Sequence, residues 1–233
     1  MQLSKRLSMN VSLVPEGSCV ADIGCDHGYA AIWLVKQEKA KRVIAMDVNQ
    51  GPIERAKEHV EEYGLQDVIE CRLSNGTEKL VPGEVDTLMI AGMGGPLMIR
   101  ILEQGKKVLG QVNTLVLQPQ SELGEVRLYL LQHGFVIQEE KACVEEGKYY
   151  FAIRAVNTRE PQEITGEPQW KFRYGTYLVQ KKDPVFREFL LREMEICQSI
   201  LETMEEHQVS KDRKREVEDK MSQMKECFQQ LEA

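Results

Sequence analysis

The sequence predicts an α/β chain: a seven-stranded, mostly parallel sheet closed by an antiparallel hairpin, followed by an antiparallel helical hairpin of coiled-coil type. Three observations carry this. Short apolar runs alternate with helical stretches along residues 1–157, the pattern of a sheet covered on both faces. Glycine-containing turns follow the first, third and fourth of those runs. Two short heptad seams occupy the end of the chain, with apolar residues spaced four and three apart. The expected organisation is a ligand-binding sheet domain at 1–157, a linker at 158–169 and the helical hairpin at 170–233.

Leu3-Ser4-Lys5-Arg6-Leu7 precedes the first strand and reads either as a helix across the sheet edge near the ligand or as a solvated basic helix. Cys19–Ile23 is the first strand, and Ala30–Val35 resumes as an apolar helix. Arg42–Asp47 is the second strand. Asn49 and Pro52 then start a helix over Ile53–Tyr63 that stops at Gly64. Val68–Leu73 is the third strand, running into Ser74-Asn75-Gly76. Val85–Ala91 is the fourth strand and opens into Gly92-Met93-Gly94-Gly95-Pro96, which starts a helix to about Val108; three glycines in four residues at the mouth of a strand suggest that something flat or bulky slides past the backbone. Val112–Leu117 leads to Gln118-Pro119-Gln120, Ser121 is placed to cap a helix ending near Gly134, and Phe135–Val144 with Tyr149–Asn157 forms the hairpin.

The first turn carries the chemistry. A dinucleotide fold wants three glycines in G-x-G-x-x-G, aimed at a pyrophosphate. Here the pattern is Asp22-x-Gly24-x-Asp26-x-Gly28. Two carboxylates in that loop repel a pyrophosphate and suit a cation, which points to S-adenosylmethionine (SAM) with its sulfonium and ammonium groups. Asp47, at the end of the second strand, stands where an acid takes both ribose hydroxyls, and Asn75 where a polar side chain meets the adenine edge. In an open parallel sheet ligands lie beyond the carboxyl ends of the strands. Loops 24–28, 47–49, 74–76, 92–95 and 118–120 therefore share one edge, and Tyr150 returns to it. This element order resembles the class I SAM-dependent methyltransferase fold, Rossmann-like with its last strand antiparallel.

Composition bounds the alternatives. A net charge of −7 over 233 residues argues against indiscriminate nucleic-acid binding. Residues 170–233 hold 12 Lys/Arg against 13 Asp/Glu, so the first 169 residues carry −6 of that charge. The six cysteines form no C-x-x-C pair and read as reduced thiols of a cytoplasmic protein, with neither disulfide nor metal site. No apolar run is long enough to span a membrane, and a monomer is expected. Near the end of the chain, Trp170–Gly175 mixes basic and aromatic residues. Leu190, Met194, Cys197, Leu201 and Met204 make one seam, and Val217, Met221, Met224, Phe228 and Leu231 the other. His207–Ser210 breaks the pattern, Ser210 caps the second helix, and Lys211, Arg213, Lys214 and Arg215 lie at the tip.

The sequence also resembles a known family, the bacterial TrmK tRNA (adenine-22-N1)-methyltransferases. The carriers are Leu3–Leu7, Ala21–Gly24 with Asp26-His27, Asp47-Val48 with Gly51-Pro52, Ile90–Gly95, Leu117-Gln118-Pro119 and the Trp170–Leu178 region. The family often has Asn where Gln120 stands. The resemblance implies methyl transfer from SAM to N1 of an adenine in the D-arm of tRNA. Adenine N1 already has a lone pair, so positioning outweighs base catalysis. The loop after the fourth strand also lacks the Asn/Asp-Pro-Pro-aromatic run of enzymes that methylate an exocyclic amine. The expected catalytic group is Asp26, Met93, Gly94 and Gln118. The expected SAM-binding residues are Asp22, Gly24, Cys25, Gly28, Asp47, Val48, Asn75, Gly76 and Gly92. Arg6, Gln120, Tyr150 and the four tip cations are the expected tRNA contacts. A methyltransferase for a small molecule or protein shares the first loop and Asp47 but leaves the basic helical hairpin unexplained. A catalytically idle RNA-binding protein leaves the acidic loop unexplained.

Overall fold

Seven strands form one sheet in the order β3-β2-β1-β4-β5-β7-β6. They are β1 Ser18–Ile23, β2 Ala40–Asp47, β3 Ile69–Leu73, β4 Thr87–Met93, β5 Thr114–Pro119, β6 Phe135–Glu145 and β7 Lys148–Asn157. The first five are parallel, and β7 pairs antiparallel with both β5 and β6. The computed structural model describes residues 2–206 and 210–233. The chain divides into two compact units between Glu163 and Ile164, a point inside the stretch 158–169.

Alternation within each strand decides which residues cover which face. Ala21, Ile23, Ile44, Met46, Leu88, Ile90, Leu115 and Leu117 pack with helices α4 (Gly95–Gln104), α5 (Lys106–Leu109) and α6 (Leu123–Gln132). Their neighbours Val20, Val43, Ala45, Met89 and Val116 pack on the opposite face. There they meet α1 (Lys5–Leu13), α2 (Tyr29–Lys36) and α3 (Gln50–Glu62). Both faces are covered, so the strands read as continuous apolar runs. The carboxyl edge of the sheet is left for the ligand loops.

Helix α1 starts at Ser4, whose hydroxyl accepts the Leu7 amide hydrogen at 3.2 Å. The helix packs on β5, β6 and β7. Two helix boundaries depart from the sequence reading. The run expected from Pro96 to about Val108 breaks at Gly105, where a Cβ would stand 2.6 Å from Thr77 Oγ1. Ser121 does not cap α6. That position belongs to Glu122 in a left-handed conformation, φ 50°, with no side-chain cap bond.

The second unit contains α7 (Gln169–Tyr174), α8 (Tyr177–Gln180), α9 (Pro184–Glu206) and α10 (Lys211–Glu232). Pairs Arg187–Glu232 at 2.7 Å, Lys220–Glu193 at 2.8 Å and Lys214–Glu205 at 2.9 Å fix α9 and α10 as antiparallel. Leu190, Cys197, Val217, Met221, Met224 and Leu231 are buried along the expected seams. Cys227 takes the fully buried place expected of Phe228, which is half-buried with the Arg187 guanidinium 5.4 Å from its ring. Ser210 caps α10 by accepting the Arg213 amide hydrogen at 3.4 Å. Of the break His207–Ser210, residues 207–209 lie outside the described residues, as does the Lys211 side chain.

Candidate active site

The loop after β1 folds onto the end of β2. The Gly24 and Cys25 amides both donate to the Met46 carbonyl, at 2.8 and 2.9 Å, and Gly28 closes the turn on the Cys25 carbonyl at 2.8 Å. Gly24 and Gly28 have φ of 79° and 75°, the left-handed region that glycine enters without a Cβ clash. A Cβ on Gly24 would overlap the Met93 methyl, and one on Gly28 would press on Ala56 of α3. The turn thus brings Met93, from β4, against the first loop.

Two carboxylates lie on this side. Asp22 is 4% exposed and its Oδ2 has no hydrogen-bond partner among the described residues. Burial, and then the charge of Asp47, push its pKa up to about 7. A buried carboxylate without a donor is costly unless a cation or hydrogen-bond donor arrives to meet it. Asp47 accepts the Asn49 amide hydrogen through Oδ1 at 2.9 Å. Cys25 is buried, and burial followed by the charges of Asp22 and Asp47 drives its thiol upward, so it stays protonated and neutral. Val48 beyond Asp47 and Leu73 at the end of β3 are apolar side chains left exposed on this edge. Leu73 was not foreseen, although an apolar residue at a strand's ligand end is a readable signal. Asn75 is exposed, its amide donating to Glu78 at 2.7 Å. Gly76 is buried against Ile101 of α4, so its freedom serves packing and a φ of 54°.

Asp26 has a positive φ of 51° and a side chain 70% exposed, 3.4 Å from His27 Nε2. Around it His27, Tyr29, His59 and Arg55 form an aromatic and basic cluster that the sequence did not announce. Tyr29 stacks on His59 at 4.8 Å, and Arg55 Nε donates to His27 Nδ1 at 3.0 Å.

The glycine block after β4 proves to be shaped by protein neighbours. Gly92, φ 78°, would place a Cβ 3.1 Å from Arg6 Nη1. Gly94 would meet Ser121 Oγ at 3.2 Å, and Gly95 the Ser121 carbonyl oxygen at 2.6 Å. The expectation that these glycines leave room for a flat ligand gives way to close contact with the 118–122 loop. Gln118 also departs from the direct role expected of it. It is 1% exposed, and its Oε1 accepts both the Arg6 guanidinium at 3.0 Å and the Gly92 amide at 3.1 Å. Its Nε2 donates to the Pro119 carbonyl at 3.3 Å. Buried and bonded on both its oxygen and its nitrogen, Gln118 serves here to position Arg6 and the Gly92 amide. Gln120 is exposed, and its backbone amide donates to Met93 at 2.8 Å. Tyr150 lies beneath the Arg6 guanidinium, 5.7 Å from ring centroid to Cζ.

The tip of the second unit is less free than its sequence suggests. Arg213 pairs with Glu216 at 2.6 Å and Lys214 with Glu205 at 2.9 Å. Between positions 202 and 220 seven acids outnumber five bases. Arg215 lies one residue further along α10. Trp170 and Tyr174 are buried, with α7 packed on α10, so they are not available to stack on bases.

Sheet order, an acidic glycine turn with an unpartnered buried carboxylate, and an acid at the end of β2 define a class I SAM-dependent methyltransferase. A family model described as TrmK, tRNA (adenine(22)-N(1))-methyltransferase, matches residues 20–226. The tRNA (adenine(22)-N(1))-methyltransferase of Bacillus subtilis (strain 168) is 33% identical over 232 residues, 98% of each chain. The chain belongs to the TrmK family. Its fold matches the crystal structure of the B. subtilis m1A22 tRNA methyltransferase TrmK with a TM-score of 0.86 at 33% identity, covering 97% of this chain and 99% of that one. It also matches Streptococcus pneumoniae Sp1610 in complex with S-adenosyl-L-methionine, with a TM-score of 0.85 at 33% identity, covering 97% and 100%. Among the described residues no helix is long and apolar enough to cross a membrane, and no three His, Cys, Asp or Glu side chains gather as a metal site would.

Proposed function

We propose that this chain transfers the methyl group of SAM to N1 of adenine 22 in tRNA, as a cytoplasmic monomer. The observation that carries the proposal is the near end-to-end match to the B. subtilis enzyme of that activity, which includes both units. SAM supplies an electrophilic methyl on a sulfonium, so the transfer itself requires neither a metal nor an activating base. Asp22, Gly24, Cys25, Gly28, Asp47, Val48 and Gly92 would hold the cofactor, with Asp47 on the ribose and Asn75 near the adenine. Gly76, facing α4, shapes that loop from behind. The carboxylates match a cationic ligand in sign, and the glycine turn lets backbone approach it closely.

On the substrate side, Met93 bridges the first loop and the β4 loop, and Gly94 with Gln120 borders the acceptor position. Rate enhancement would come mainly from holding N1 and the methyl in line, a positioning effect. Asp26 at the loop surface is placed to balance the charge the base gains, moderated by its exposure to water. An adenine within a tRNA arm must leave its stack to reach this edge. Among the tip cations, Lys211, Arg213, Lys214 and Arg215 would offer a secondary attraction for the tRNA backbone, reduced by the interleaved acids.

Incubation of unmodified tRNA with the protein and SAM, followed by nucleoside mass spectrometry, tests the proposal. It should yield 1-methyladenosine, and a transcript with guanine at position 22 should yield none. Methylation that persists in that transcript, or that appears only in protein, would refute it.

A further inference from the structure

Resting on tRNA as the substrate, we infer that Arg6 is a phosphate clamp: its guanidinium grips a backbone phosphate flanking the extruded adenine, in a position fixed by Gln118 and Tyr150. Arg6 is half-buried and forms no ion pair with a described carboxylate. The neighbouring acid, Glu145, accepts instead the Lys5 backbone amide at 2.6 Å. One of the five guanidinium N–H groups is engaged, by Gln118 Oε1. A half-buried arginine normally finds a carboxylate. Here it is held by a neutral amide and an aromatic face, so its charge remains available to a ligand.

The support beneath it is rigid. Gln118 is locked between the Gly92 amide and the Pro119 carbonyl, and Gly92 lacks the Cβ that would crowd Arg6 Nη1. Four elements therefore converge on one cation: α1, β4, β5 and β7. This is the preorganisation that makes an arginine fork a good partner for a phosphate.

Charge decides which part of the substrate it meets. Adenine N1 must keep its lone pair free, and the ring becomes cationic as N1 takes the methyl. A guanidinium donating to N1 would block the reaction, and one against the ring would oppose the developing charge. A phosphate has the matching sign and no such conflict. The other anion on offer is the cofactor's carboxylate. The acidic loop is on β1 and β2, whereas Arg6 contacts the ends of β4 and β5 and the ring of Tyr150 on β7. That displacement favours the RNA.

The test uses the full-length protein, its Arg6→Gln and Arg6→Lys variants, and tRNA assembled with a single methylphosphonate on either side of adenine 22. Arg6→Gln should bind SAM like the parent, which also shows that it is folded, yet bind tRNA about tenfold or more weakly. Its log–log salt dependence should flatten by about 0.7–0.9, the slope of one phosphate. Arg6→Lys should fall between the two. One methylphosphonate should weaken binding to the parent and cost Arg6→Gln nothing further. Equal sensitivity of parent and variant to both methylphosphonates would overturn the inference, as would a loss of SAM affinity with tRNA affinity retained. Neither result touches the reaction itself, because a parent enzyme that makes no 1-methyladenosine would instead refute the proposed function.

Discussion

The two halves of the sheet's carboxyl edge carry opposite charge. At β1 and β2 stand Asp22 near the end of the first strand, Asp26 in the glycine turn after it and Asp47 at the end of the second, with one carboxylate oxygen buried and unpartnered among the described residues. At β4, β5 and β7 stands Arg6, held over Tyr150 by Gln118 with no carboxylate against it among the described residues. One fold edge thus presents an acidic cluster and a cationic group, matching in sign the cofactor and the tRNA proposed for them. The difference teaches that site chemistry here is divided by strand, and that the sign of each half follows the ligand it would meet.

The largest expected effect is on the acidic half. Asp47→Ala should weaken SAM binding by roughly 1.5–3 kcal/mol, the range for hydrogen bonds involving a charged group, and leave tRNA binding near parental. Calorimetry with both ligands checks this, and unchanged SAM affinity in a folded variant would remove Asp47 from the site. On the other half, Gly95→Ala should be more damaging than Gly94→Ala. The new methyl meets a carbonyl oxygen at 2.6 Å in the first case and a rotatable hydroxyl at 3.2 Å in the second. A loss of about 1–3 kcal/mol in folding stability is expected for Gly95→Ala, against less than about 1 for Gly94→Ala, read by urea midpoints.

Asp22 gives a pH test. Its folded pKa of about 7 lies above its ordinary 3.8, so the folded chain keeps a proton that the unfolded chain releases. The stabilising contribution is complete below about pH 4 and is lost as pH rises to about 7, at up to about 1.4 kcal/mol per unit. Asp22→Asn should flatten the stability profile of the unliganded protein across that window. Parallel profiles would show that Asp22 is already charged in the folded state. The smallest effect should be at the tip: reversing Arg213 and Lys214 to Glu should weaken tRNA binding only a fewfold. Both cations already share exposed acids, and exposed pairs contribute little.

How much of this was legible in the sequence depended on how local each feature is. Asp22, Gly24, Gly28 and Asp47 declare themselves because a turn and a strand end are set by nearby residues. The succession of strands and helices and the antiparallel close followed from alternation and turn chemistry, whereas the order of strands across the sheet is set by long-range pairing. Gln118 misled because its burial is imposed by Arg6, 112 positions away, and by the backbone of Gly92. The block from Gly92 to Gly95 read as space for a ligand, whereas its neighbours Ser121 and Arg6 are brought in only by the tertiary fold. The break at Gly105 depends likewise on Thr77. At the tip the basic run was plain, but the acids that offset it come from the facing helix and the next turn.

The division of the edge is tested most directly by one crossed titration, SAM and tRNA each against the parent, Asp47→Ala and Arg6→Gln. The expected result is a double dissociation, in which Asp47→Ala loses SAM and keeps tRNA while Arg6→Gln loses tRNA and keeps SAM. If both variants lose the same ligand, the two halves are a single site and the account is wrong.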